Sequence, residues 1–421
     1  MLNEWLFMRD QILSNINDPI QLEKLYRQDR NNFKRSFNEL YPEIRQTSAS
    51  GFWNQRLNFS GEEIGRVKRS DLIFIFVTAL FAGFIAKVPG LFQINEEFFY
   101  PRNIGFIVFP FLTAYFSWKN KMSVQNILIA TALSGCGLLF INLFPDRGET
   151  DTLILSCIHL VLFLWSILGF AFVGGAANDT VKRLAFLKYN GDLIVMTTLI
   201  LIAGGIMTGM TIGLFRLIGF QIEEFYFQHV VIFGLPAAPI VGTYLTQNNP
   251  QLVGRVSPVI AGIFSPLVLV MLVVYLVAIV YSGKNPYNDR DFLIIFNALL
   301  AGVMAIVFFS VAEQSRASKT SLEIWVLFLL CALTILVNGI ALSAIIFRIA
   351  EFGLTPNRAA VLGGNLLILV NLLLVTFRFS QVIWKRRELS SVGQAIAVYL
   401  PVYFAWTVVV TFLFPFIFGF K

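Results

Sequence analysis

IWVLFLLCALTILVNGIALSAIIF, residues 324–347, holds no charged side chain and is bounded by Glu323 and Arg348. A helix rises 1.5 Å per residue, so about twenty apolar residues cross a hydrocarbon core of about 30 Å, and this run is long enough to do so. A helix at the surface of a water-soluble protein is apolar along one stripe only; this one is apolar almost all round, so its surroundings must be apolar too. Working outward, comparable runs occupy 71–90, 104–118, 124–144, 152–174, 192–217, 229–245, 256–281, 292–311, 322–350, 357–379 and 395–418. The reading is an all-α polytopic transmembrane bundle of about eleven helices, residues 71–421, preceded by a small cytosolic amphipathic helical segment, residues 1–70.

Composition agrees with an apolar solvent. Of 421 residues, 57% are hydrophobic and 14% charged, against about 25% charged in soluble domains, and the mean hydropathy is +0.72. The 43 Phe and 30 Gly suit lipid-facing surfaces and close helix approach. A transmembrane barrel would show alternating polarity instead of unbroken runs. Net charge is +7, but no basic soluble domain is large enough for a nucleic-acid partner. Cys136, Cys157 and Cys331 fall inside apolar runs and read as small buried hydrophobes, not as a disulfide framework. Met1 to Asp10 lacks a signal-peptide pattern, so the first apolar run is expected to direct insertion.

The cations orient the chain. With the N-terminus inside, the inside segments hold eleven basic residues before the first run, then Lys119 and Lys121; Lys182, Arg183 and Lys188; Arg255; Arg316 and Lys319; and Arg378, Lys385, Arg386 and Arg387. That is 23 of the 32, leaving nine outside. The expectation is a multi-pass bacterial inner-membrane protein with its N-terminus cytosolic and its C-terminus extracytoplasmic. In the N-terminal segment, Asp18-Pro19 is a helix start. Leu22, Leu25, Tyr26, Phe33, Phe37 and Leu40 then recur on one face of a helix predicted to end before Pro42. Three roles remain open for it: self-packing or packing on the bundle, lying on anionic lipid, or docking a cytosolic or membrane protein partner.

Residues Arg348-Ile349-Ala350-Glu351-Phe352-Gly353-Leu354-Thr355-Pro356-Asn357-Arg358 contain a Gly-Leu-Thr-x-Asn-Arg element. This resembles the bacterial multi-pass membrane family called domain of unknown function four-one-five-three, and the likeness extends through Glu97 to Asn103 and Cys157 to Gly175. The resemblance implies a polytopic membrane protein without an assigned activity, so it carries over no site residue. Some members of that family are longer after the membrane region.

The same residues form a candidate anion or ligand site on physical grounds. Gly353 suits a left-handed helix end, and Thr355 with Pro356 starts the next helix. Arg348, Glu351, Asn357 and Arg358 lie beside that helix N-terminus, where an anion is favoured. The plainer reading pairs Glu351 with Arg348 and lets Arg358 snorkel. Pro236, Pro239, Pro258 and Pro266 mark a candidate helix-break region of the kind transporters use, although proline is ordinary in membrane helices. Gly205, Gly209 and Gly213 put small residues on one face, which predicts close packing within the bundle.

Ionisable groups are nearly missing from the middles of the runs. His159 is the exception and reads as a packing residue. Without mid-membrane carboxylates an ion-coupled pump is disfavoured, while Asn297, Asn338, Asn365 and Asn371 offer neutral ligand groups. No phosphate loop, nucleophile elbow or Cys/His metal spacing occurs, so no cofactor and no metal are expected. Glu96 and Glu97 in the first external loop keep a lipid-linked transferase open as an alternative. The leading expectation is a permease-like or accessory protein that binds a small or lipid-like molecule. A sensor or scaffold acting through residues 1–70 is the third reading, and the oligomeric state is not legible.

Overall fold

The computed structural model describes residues 2–45, 47–58, 69–145, 148, 150–176, 179–217, 220–249, 256–282, 287, 290–313, 321–385 and 387–421. Arg255, Arg316, Lys319 and Arg386, which enter the charge alternation, lie outside the described residues, as does the side chain of Pro258. Fifteen helices and no strands make up what is described. Two compact units divide the chain, Met1–Val67 and Lys68–Lys421.

The first unit contains α1 (Leu2–Ser14), α2 (Pro19–Gln28), α3 (Arg30–Ile44) and α4 (Ser48–Asn58). The Asp18 carboxylate accepts from the Ile20 and Gln21 amides at 3.0 and 3.1 Å, so α2 starts where Asp18-Pro19 predicted. The single helix expected from there to Pro42 is instead two. Asp29 takes an extended conformation that ends α2, and its carboxylate accepts from the Asn32 amide to start α3. Pro42 does not stop α3, which runs through it to Ile44. Ile12, Leu22, Phe33, Phe37 and Leu40 are fully buried together, and the Trp53 ring lies 5.0 Å from that of Phe33. The predicted apolar face therefore builds a core of its own.

Glu23 Oε1 accepts from Arg27 Nε within α2 at 2.9 Å and from Arg56 Nη2 at 3.2 Å, and the second bond ties α2 to α4. The Arg27 hydrogen bond, then that of Arg56, holds the Glu23 carboxyl below its ordinary value against partial desolvation. A depressed carboxyl stabilises the fold above its unfolded value, about 4.3, and stops doing so as pH falls through the folded one. Hydrogen-exchange protection of α2 and α4, corrected for intrinsic exchange, should decline below about pH 4. Glu23→Gln should flatten that decline; the same slope in the variant would assign it to other carboxylates.

The second unit runs through α5 (Arg69–Phe92), α6 (Glu96–Lys119), α7 (Val124–Asn142), α8 (Asp151–Phe172), α9 (Thr180–Leu217), α10 (Glu223–Asn248), α11 (Val256–Ser282), α12 (Arg290–Glu313), α13 (Ser321–Phe352), α14 (Pro356–Lys385) and α15 (Ser390–Ile417). Among the described residues nine helices are long and apolar enough to cross a membrane. The runs 104–118 and 256–281 fall on α6, which carries Glu96, Glu97, Arg102 and Lys119, and on α11, whose fully described apolar stretch is Gly262–Val274. Side chains cap several starts: Asn95 on α6, Ser123 on α7 and Thr150 on α8.

The two largest cores of this unit are separate clusters. One gathers Leu112, Tyr115, Phe116, Leu168, Ala171, Phe186, Tyr189 and Ile240 from α6, α8, α9 and α10, with α5 packed on α10. The other gathers Leu300, Val307, Leu330, Val337, Leu372, Phe379 and Ile396 from α12 to α15. Only the first part of α9 is enclosed; Ile202, Ile206, Met210 and Leu214 are exposed. Such a surface, dominated by large apolar side chains, fits lipid and not water.

Candidate functional site

A groove of about 320 Å³ opens between α7, α8, α9 and α15. Ile129 and Leu133 of α7, Trp165 and Phe170 of α8, and Leu400 and Phe404 of α15 make it apolar, and Arg183 of α9 supplies the charge. Pro401 explains the place of that arginine. Lacking an N–H, a proline leaves the carbonyl four residues earlier without its helical partner, and Arg183 Nη1 donates to that carbonyl, Ala397 O, at 3.1 Å. The same device recurs where Pro415 frees Thr411 O and Ser156 Oγ donates to it at 3.0 Å. Gly169 admits the Phe186 ring beneath the groove, and Trp165 Nε1 donates to Asn190 Oδ1 at 2.8 Å, which fixes its wall. Arg183 lies in the first turn of α9, so the cation marks one end of the bundle and the apolar lining runs toward its middle. Such a shape matches an amphiphile with an anionic head.

Polar side chains also meet deep inside the bundle. Asn365 Nδ2 donates to Asn297 Oδ1 at 2.9 Å, and Asn338 Nδ2 donates to Asn365 O at 3.0 Å, joining α12, α13 and α14. Asn371 is fully buried beside Tyr403 of α15. Nearer the end where α9 begins, Lys188 pairs with Glu313, which joins α9 to α12, and Ser265 lies 3.2 Å from Ser310.

The turn between α13 and α14 forms as its residues suggest. Gly353 has φ +78°, and Thr355 Oγ1 accepts from the Arg358 amide. Arg358 Nη1 donates to Phe352 O and Gly353 O at 2.8 and 2.6 Å, closing the end of α13. Glu351 is exposed, and one Arg348 guanidinium nitrogen, Nη1, is buried without a hydrogen-bond partner. Arg358 at the helix start is therefore engaged by backbone.

Pro236 and Pro239 do not break α10, nor Pro266 α11, since helix continues through all three. The irregular backbone of α10 is a π-helical turn at Phe227–Val231, before the prolines. Neighbouring polar groups there serve helix packing: the Tyr189 and Thr243 hydroxyls are 2.8 Å apart, and Thr243 donates to Pro239 O. The packing expected of Gly205, Gly209 and Gly213 is not made among the described residues, since none of them lies within 4 Å of a methyl built on any of the three. Their face belongs to the unenclosed part of α9. Glu96 and Glu97 are exposed in the first turn of α6, where the helix start favours carboxylates. His159 Nδ1 contacts Leu155 O at 2.9 Å, as a packing residue would. Cys157 and Cys331 are buried and free, while Cys136 is exposed because α7 is a peripheral helix. Among the described residues no group of His, Cys, Asp or Glu could hold a metal ion.

Arg183 and the pair Lys188–Glu313 were not recognisable as site residues from sequence, because all three sit near helix ends, where cations and carboxylates are expected anyway. Pro401 was the available signal, since it announces a freed carbonyl. Which donor answers that carbonyl depends on helix packing. No protein-family model, no curated protein and no solved structure matches the chain.

Proposed function

We propose that the chain is a multi-pass bacterial inner-membrane protein of permease-like or accessory kind that holds a lipid-like amphiphile in the α7–α8–α9–α15 groove, with an anionic head at Arg183. The observation carrying this is the groove itself, apolar along its length and cationic at one end. The proposal includes eleven crossings with the N-terminus cytosolic. Lys119–Gln247, Asn120–Phe172, Lys188–Glu313 and Arg183–Ala397 join segments that the charge alternation puts on one side. Asn103–Asn142, Thr152–Lys421 and Tyr287–Ser343 join segments that it puts on the other. Membership of the family of unknown function belongs to the same reading and rests on the Gly353 to Arg358 element. So does the suggestion that residues 1–70 dock a partner.

A hydrogen bond to a charged group contributes about 1.5–3 kcal/mol, and 1.4 kcal/mol is tenfold in affinity. In native mass spectrometry of the purified protein, Arg183→Gln should cut the retained anionic phospholipid about tenfold relative to zwitterionic lipid. Because Arg183 also serves Ala397 O, the test includes Arg183→Gln/Pro401→Ala, in which an alanine N–H at 401 satisfies that carbonyl from within the helix. Lipid loss in this well-folded double variant supports the head site, and unchanged lipid in both variants would overturn it.

A further inference from the structure

Asn371 lies at the midpoint of α14, fifteen residues from Pro356 and fourteen from Lys385, and Tyr403 is equally central in α15. At 1.5 Å per residue each is about 20 Å from either helix end, so bulk water does not reach them. Asn371 is 0% exposed, and neither its Oδ1 nor its Nδ2 has a hydrogen-bond partner. The Tyr403 hydroxyl is buried and also lacks one. The two side chains lie within reach of each other, but no bond of good hydrogen-bonding geometry is made by either amide atom or by the hydroxyl. The Tyr399 ring at 5.2 Å and the Phe308 ring at 6.5 Å fence Tyr403.

The contrast with Asn365 is informative. Six residues earlier on the same helix, its amide bonds Asn297 directly, so the bundle can satisfy an amide where the geometry allows. At Asn371 an amide oxygen, an amide nitrogen and a hydroxyl converge with their bonds unmade. Buried polar groups are almost always satisfied, and a buried water typically makes about three hydrogen bonds to groups of this kind. In lipid the need is greater, since no solvent can substitute.

We propose that Asn371 and Tyr403 form an internal site for a small neutral molecule that both donates and accepts, and that its occupant is water bridging α14 to α15. The amide nitrogen donates to the water oxygen, the amide oxygen accepts one water proton, and the phenol takes the remaining bond in either sense. The site is independent of the Arg183 groove.

The test uses the full chain in detergent, with Asn371→Leu, Tyr403→Phe and the double variant. A shared water predicts that each single change lowers the melting temperature by several degrees and that the double falls no further than the worse single. If the groups bridged nothing, leucine would remove two unpaired polar atoms at nearly equal volume, and the melting temperature would hold or rise. That result overturns the proposal, and so do strictly additive losses. Should Asn371→Leu fail to fold, radiolytic footprinting of the wild-type protein decides the matter. A bound water activated beside Tyr403 labels its ring despite burial, whereas an unlabelled Tyr403 excludes the site.

Discussion

Lys188→Met should destabilise the protein by about 3–5 kcal/mol, the cost of leaving a buried charge without its partner. Glu313 ends α12 with its side chain only 4% exposed, and Lys188 reaches it from α9 with 20% exposure. Water is largely excluded on both sides, so the loss is expected toward the lower end of that range and well above the 0–1 kcal/mol of surface pairs. Glu313→Leu alone should cost a similar amount. Lys188→Met/Glu313→Leu together should recover most of it, because an apolar pair of similar volume removes both desolvation penalties. Unfolding in mixed micelles followed by circular dichroism measures all three. A single variant losing under about 1 kcal/mol would show that the pair is solvated like a surface one.

The membrane part was legible because its signal is long and redundant: runs of about twenty apolar residues leave few alternatives to a spanning helix. Helix ends were less legible. The run 192–217 is only the apolar part of α9, which begins at Thr180, since Lys182, Arg183 and Lys188 mask a helix that continues beyond the apolar stretch. Local caps were read correctly at Asp18, Gly353 and Thr355, where neighbouring residues decide the geometry. Contacts between distant segments were not legible. Asn297, Asn338, Asn365 and Asn371 could be named as polar groups in apolar surroundings, yet nothing in their spacing says that the first three join and the fourth faces Tyr403. Proline shows the same limit: of the two readings open for Pro236 and Pro239, the ordinary one holds, because a helix tolerates both when packing keeps its halves in line, and the sequence does not display the packing.

Glycine carries the same lesson and the second large prediction. Gly205, Gly209 and Gly213 form the recognisable stripe, yet none of the described residues approaches them, whereas the isolated Gly191 and Gly363 sit directly against the rings of Phe309 and Trp406. A methyl at either of the latter would overlap the aromatic ring, and overpacking of this kind costs about 1–3 kcal/mol. Alanine's better helix propensity returns at most about 1 kcal/mol, so Gly191→Ala and Gly363→Ala should both be destabilising. At Gly191 the effect should be larger, because the Phe309 ring stands one turn from Glu313 and Gly191 one turn from Lys188. Pushing α9 from α12 there strains the ion pair as well. Gly209→Ala should be neutral or slightly stabilising, since the added methyl meets open space. Melting temperatures of the three variants decide between two accounts of α9. Equal losses at Gly191 and Gly209 would mean that the stripe is packed in the membrane against something outside this chain.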